Sequence, residues 1–214
     1  MKARIQENER DWDAYVELIQ IYRLSGDIDN LRSLRLQCKQ VFPLPPGSFW
    51  QQYSYIEMWI QWIDDEKQFI SDEEEKEGIC NLYQAALRDY YSADVWYQYL
   101  SFVKSSLPSE MSTLSEEAIS AFEYDCIDGP RLWNLILEWS KSVNPPEQTE
   151  KFYARMLGNC YQTSAECLES YKEWHQGVAL QLDPSVVETG ENSIKEFEKR
   201  SVLQMELTAS IEVD

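Results

Sequence analysis

The chain repeats an aromatic phrase at a near-constant interval, and that period constrains the fold more than any other feature. Trp12-Asp13-Ala14-Tyr15 returns as Trp59-Ile60-Gln61-Trp62, as Trp96-Tyr97-Gln98-Tyr99 and as Trp133-Asn134-Leu135-Ile136. The step from Trp59 to Trp96 is 37 residues, and the step from Trp96 to Trp133 is 37 again. Self-similarity at such a period marks a repeat architecture. Each unit is a simple element that cannot bury its apolar face alone and must stack on its neighbours.

The spacing within the phrase specifies a helix. On a helix advancing about 100° per residue, a large side chain at i, another at i+3 and a third at i+7 share one face. The first helices of successive hairpins present Trp12, Tyr15 and Ile19; Trp59, Trp62 and Glu66; Trp96, Tyr99 and Val103; then Trp133, Ile136 and Ser140. A fifth, degraded hairpin has Leu168 and Tyr171, with Trp174 one turn on. The second helices carry Leu31, Leu34, Cys38 and Val41; Ile79, Leu82, Tyr83, Ala86 and Leu87; Ala118, Ala121 and Phe122; Phe152, Tyr153, Met156 and Leu157; and, for the fifth, Ile194 and Phe197. Breakers fall between them: Pro43-Leu44-Pro45-Pro46-Gly47, Leu107-Pro108, Gly129-Pro130 and Asn144-Pro145-Pro146. Proline lacks the donor a helix interior needs and restricts the residue before it.

The step from Trp12 to Trp59 is 47, about ten beyond the period, and the excess around Trp50 and Tyr53 offers a second frame. Trp59 is preferred because its second helix follows at the normal distance, and the spacing predicts one long helix over roughly 48–69. The expected fold is therefore all-α: a right-handed superhelical solenoid of about five helical hairpins. A polar leader is expected over 1–10, the repeat array over 11–182, and a weak last repeat helix with a frayed tail over 183–214.

Charge narrows the function. Thirty-eight Asp and Glu against 19 Lys and Arg leave a net charge of −19. Nucleic-acid affinity comes mainly from cations that neutralise phosphates. A chain this acidic is not expected to bind RNA or an anionic membrane directly, and suits a partner protein with a basic patch. The first residues contain no apolar run of the secretory type, and no stretch approaches the roughly 20 apolar residues of a membrane span. The five cysteines, an odd number without close pairs, fit a reducing intracellular compartment.

Little in the chain suggests catalysis. His175 is the single histidine, so a histidine-rich metal site cannot form. Cys160 and Cys167 lack zinc-site pairing, and the acidic run 72–77 lacks the glycine and ligand spacing of a calcium loop. That run reads as a solvated turn whose glutamates open a helix. No phosphate loop or nucleophile elbow is present, so no enzyme activity, cofactor or metal is expected. The aromatic stripes read as core rather than base-stacking surface. Arg23, Arg32, Arg35 and Lys39 form a modest basic cluster, for which pairing with acids within their own helices is the simplest reading.

Trp-x-x-Tyr/Trp in one helix with Tyr/Phe-x-x-Ala in the next resembles the half-a-tetratricopeptide (HAT) repeat. The fullest match is Trp59-Ile60-Gln61-Trp62-Ile63-Asp64-Asp65-Glu66 followed by Leu82-Tyr83-Gln84-Ala85-Ala86-Leu87. On this resemblance the repeat signature comprises Trp12, Tyr15, Trp59, Trp62, Glu66, Tyr83, Ala86, Trp96, Tyr99, Phe122, Trp133, Tyr153 and Tyr171. The family is found in RNA-processing assemblies. A narrower similarity, to the HAT repeats of U4/U6 small nuclear ribonucleoprotein recycling factors, rests on Tyr22-Arg23-Leu24-Ser25-Gly26-Asp27, Leu31-Arg32-Ser33-Leu34-Arg35 and Val41-Phe42-Pro43-Leu44, continuing through Tyr90 and Val95-Trp96. It implies a nuclear, protein-binding scaffold in mRNA splicing whose partners are U4/U6 components. Some HAT arrays also self-associate through later hairpins, which directs attention to 185–214. The chain departs from the pattern at the insertion near Trp50 and at Asp125, where a small residue is expected. It also ends before any RNA-recognition motif, so the annealing the family places there is not expected of it. The alternatives are a tetratricopeptide-like peptide-binding adaptor outside splicing, or a HAT module contacting RNA directly.

Overall fold

The computed structural model describes the backbone of residues 1–42, 49–89 and 91–211, and the side chains of these except 49–54 and 205–211. The breaker at 43–47, the side chains of Trp50 and Tyr53, Tyr90 and the final residues 212–214 lie outside the described residues. Eleven α-helices and no strand occur among those described. They are α1 (Lys2–Glu7), α2 (Trp12–Ser25), α3 (Ile28–Val41), α4 (Phe49–Lys67), α5 (Glu73–Asp89), α6 (Ala93–Ser106), α7 (Met111–Phe122), α8 (Gly129–Val143), α9 (Pro146–Leu157), α10 (Ser164–Gln176) and α11 (Pro184–Ile211), with a 3-10 turn at Pro108–Glu110. The expected all-α class holds, and the pairs α2–α3 through α10–α11 are the five hairpins. The predicted long helix is present as the 19 residues of α4. No described helix is long and apolar enough to cross a membrane.

Local chemistry sets the helix ends. Gly26 closes α2 at φ 69°, a left-handed conformation that favours glycine. Asp27 follows at once as N-cap of α3, accepting from the Asn30 amide. The acidic run ahead of α5 is a capping box: Asp72 accepts from the Glu75 amide at 2.9 Å, and the Glu75 carboxylate reaches back to the amide and hydroxyl of Ser71. Pro130 and Pro146 sit in the first turns of α8 and α9, where a missing donor costs nothing. Asp125 is not a misfit in the helix pattern. α7 has ended at Phe122, and Asp125 accepts from the amides of Ile127 and Asp128 in the turn leading to α8.

The chain forms two compact units, residues 1–92 and 93–214. In the first, α1 is tied to α2: Ile5 is buried, and Arg4 forks onto the N-cap carboxylate of Asp11 at 3.0 Å. The polar leader is thus largely helical. α2 packs on α3 and α4 on α5. In the second unit, α6 packs on α7 and α8, α7 on α8, α8 on α9, and α9 on both α10 and α11. Within the second unit each helix touches its hairpin partner and an adjacent hairpin, as nearest-neighbour stacking requires. α11 lies close because its inner face is small: a Cβ on Gly190 would come within 3.0 Å of Leu168, and the Ser193 hydroxyl donates to the Leu157 carbonyl at 2.7 Å.

Candidate partner-binding surface

The repeat signature lies inside the molecule. Tyr15, Tyr83, Phe122, Trp133, Tyr153 and Tyr171 are completely buried, and Trp12, Trp59, Trp62, Ala86, Trp96 and Tyr99 nearly so. Trp59 stacks on Trp62 at 5.3 Å between centroids, and Trp96 on Tyr99 at 6.2 Å. Trp12 meets Phe42 edge-on at 5.3 Å, as Phe122 meets Trp133 at 5.9 Å. Rings in such contacts offer no free face for a base.

Glu66 is the polar member of the signature, and its geometry explains the spacing. One turn after Trp62, it accepts the indole N–H at 3.3 Å. It also takes the Arg32 guanidinium from the preceding hairpin, with Nε at 2.9 Å. Beside it, Asp65 receives Arg23 through two bonds of 2.8 and 2.9 Å and the fully buried Arg35 through a third. Burial pushes the Asp65 carboxyl up, but the bonds from Arg23 and Arg35 outweigh it and hold it below the usual carboxylate range. Burial lowers the Arg35 guanidinium from its ordinary value against the opposing pull of Asp65. The basic cluster therefore pairs across hairpins, not within its own helices. Lys39 lies over the Trp59 ring at 5.0 Å. The same one-repeat spacing recurs in the second unit, where Lys104 pairs with Glu138, Arg131 with Asp94, and Arg155 with Glu116 and Glu123.

Within the first unit these pins border a cleft of about 320 Å³ between α3 and α5. Trp62 forms the floor. Leu36 stands on the α3 side, Phe69 just beyond α4, and Gly78, Ile79 and Leu82 on α5. Leu36 is 53% exposed and Phe69 45%, large values for such side chains. Arg32, over the Phe69 ring at 5.7 Å, closes one end with Glu66, and Glu75 stands at the rim. Gly78 is in a helix interior, where glycine costs roughly 0.5–1 kcal/mol relative to alanine. A Cβ there would meet nothing within 4 Å. Packing within the chain does not require this glycine.

Other residues singled out from sequence occupy structural positions. His175 is buried, its Nε2 3.0 Å from a Glu150 oxygen that also accepts from the Tyr171 hydroxyl at 3.0 Å. Cys38, Cys80 and Cys167 fill core volume, whereas Cys126 is exposed and Cys160 partly so. Burial pushes the Cys38 thiol up to about 12. Tyr161 was not visible in the periodicity because it lies between helices. Its hydroxyl accepts the Trp133 indole N–H at 2.8 Å and donates to the Glu123 carbonyl at 2.6 Å, locking α8 to the end of α7.

The chain is similar to the human protein "Spliceosome associated factor 3, U4/U6 recycling protein", at 21% identity over 207 residues, and to its Mus musculus counterpart, at 22% over 208. These alignments cover 93% of this chain and 20% of each relative's length. It is also similar to the "mRNA 3'-end-processing protein rna14" of Schizosaccharomyces pombe, at 24% identity over 149 residues, 66% of this chain and 18% of that one. The family described as PRP39 N-terminal HAT repeat matches residues 1–173. That match spans the aromatic hairpins from α2 to α9 and most of α10, and the chain belongs to this HAT-repeat family.

Proposed function

We propose that this chain is a protein-binding scaffold of RNA-processing machinery, acting in the nucleus and, more narrowly, in the assembly or recycling of U4/U6 particles for splicing. The observation that carries the reading is the family match over 1–173, with relatives named for splicing and for mRNA 3'-end processing. The buried signature supports it: the aromatics serve stacking, so what varies between such scaffolds is the exposed surface that partners meet. Docking would use a few desolvated anchors, with the acidic surface steering encounter.

Two rivals fit the residues less well. Direct RNA binding would have to overcome a net charge of −19. A tetratricopeptide-like clamp on a partner carboxylate needs unpaired cations in a groove, and Arg23, Arg32 and Arg35 are already held by Asp65 and Glu66. The test is affinity purification from nuclear extract with and without nuclease. Retention of U4/U6 proteins after nuclease is expected. Their loss on nuclease would place the contact on RNA, and recovery of cytoplasmic proteins alone would refute the splicing assignment.

A further inference from the structure

We infer that the cleft between α3 and α5 docks a segment of a partner protein that carries a bulky apolar residue flanked by Lys or Arg. The inference rests on the protein-binding reading above and names the partner's chemistry. Three independent observations converge on the cleft. Its floor and walls are largely apolar, and two large side chains, Leu36 on α3 and Phe69 in the turn after α4, stay about half exposed at its mouth. Such paired exposure marks a place where apolar surface awaits cover.

The second observation is Gly78. The fold does not need a glycine there, and the helix would be more stable with alanine. Its missing side chain opens the α5 wall opposite Leu36, so that an inserted side chain can reach the α5 backbone. A helix-interior glycine without an internal packing reason points to a function outside the chain.

The third is charge. Arg32, the one cation lining the cleft among the described residues, is held by Glu66; Glu75, bonded to Ser71, places its carboxylate at the rim, and Glu74, one turn before Gly78, is exposed on the same side of α5. A cationic flank on the occupant is attracted there, and an acidic one is repelled.

A short random-peptide library displayed on phage, panned against the full chain, tests this. The enriched sequences are expected to share a Leu, Phe or Trp beside Lys or Arg. A synthetic peptide of that consensus should bind wild type, bind Gly78→Ala a few-fold more weakly because the added methyl fills the α5 wall, and lose at least tenfold in affinity for Gly78→Trp. Leu36→Lys, on the opposite wall, should lose as much and serves if Gly78→Trp does not fold. Glu75→Gln, which keeps an oxygen for the Ser71 cap, should weaken binding several-fold and flatten its salt dependence. Enrichment of nothing, of acidic peptides or of peptides without an apolar anchor would overturn the inference, as would equal binding by the wall variants. Concentration-dependent dimerisation abolished by Gly78→Trp would put a second copy of this chain in the cleft and overturn it as well. The two readings fail separately. RNA-processing proteins retained by Gly78→Trp from nuclear extract refute the cleft alone, and their absence from wild type while the peptide binds refutes the scaffold's assignment alone.

Discussion

Arg35 and Asp65 support a prediction in which the two partners of one ion pair behave oppositely. The Arg35 side chain is 0% exposed, and its Nε and Nη1 have no hydrogen-bond partner among the described residues. Its charge is therefore compensated chiefly by Asp65, with the Glu66 carboxylate and the Trp62 face 5.8 Å away as weaker sources. Asp65 is differently placed: if Arg35 is lost, Arg23 still holds it through two bonds. Asp65→Asn conserves shape but strands a buried guanidinium. Breaking a buried pair in this way costs about 3–5 kcal/mol, and the retained amide oxygen favours the lower end. Arg35→Met removes the buried charge and leaves the carboxylate paired. Replacing a buried ion by an apolar group of similar volume is often neutral or stabilising, so the change should stay within about 1 kcal/mol of wild type.

Urea unfolding followed by far-ultraviolet circular dichroism reads both variants, and the first unit's transition should move far more for Asp65→Asn. In the Arg35→Met background the same Asp65→Asn change should cost only about 1 kcal/mol, the value of an ordinary hydrogen bond. If Asp65→Asn costs less than about 1 kcal/mol, or Arg35→Met costs as much as Asp65→Asn, then the guanidinium is compensated elsewhere and the argument fails.

Four further outcomes follow from the geometry. Because the folded Asp65 carboxyl lies below its unfolded value of 3.8, its stabilisation is present at neutral pH and drains as pH falls through 3.8 toward the folded value; acid titration of wild type should show a loss that Asp65→Asn lacks. Tyr161→Phe strands the Trp133 indole N–H and the Glu123 carbonyl and should destabilise the second unit by about 1–3 kcal/mol in the same denaturation assay. Gly78→Ala should stabilise the first unit by roughly 0.5–1 kcal/mol, seen as a higher urea midpoint at unchanged slope. In the native protein, a thiol reagent should modify exposed Cys126 quickly and buried Cys38 only on unfolding, as mass mapping of the labelled peptides would show.

Burial and period were legible in the chain because they share one cause. A helix that stacks on two neighbours must present its large residues on a fixed face, and Trp59, Trp96 and Trp133 record that requirement directly. Pairing was not legible for the opposite reason. Arg23, Arg32 and Arg35 have acids nearby in sequence, yet their partners are some 30–42 residues away, one hairpin on. Local spacing cannot rank those choices, because what decides them is which carboxylate shares their burial. Tyr161 escaped for a related reason: a residue between helices has no periodic neighbours to betray its burial. The cleft is harder still. Ile79 and Leu82 read as core positions in the pattern while Leu36 stands outside it, and only the placement of α3 and α5 shows that all three border one opening.

The cross-hairpin pins also bear on what the surface can recognise. Each repeat-spaced pair ties up a cation on a chain that has half as many basic as acidic residues. Arg23, Arg32, Arg35, Lys104, Arg131 and Arg155 are all committed to carboxylates of a neighbouring hairpin. Stacking thus removes positive charge from the surface available to partners and leaves the acidic surplus there. On the proposed scaffold reading, phosphate-rich ligands meet net repulsion from this surface before any specific contact forms. The same logic predicts a direction for surface variants. Replacing an exposed glutamate beyond the first turn of its helix, such as Glu77, by lysine should leave stability nearly unchanged, because it opposes no charge that the stacking needs. It should nevertheless slow capture of a basic partner and steepen RNA binding at low salt. If such variants instead unfold the chain, the surplus acids are structural and the division between pinned cations and free anions is wrong.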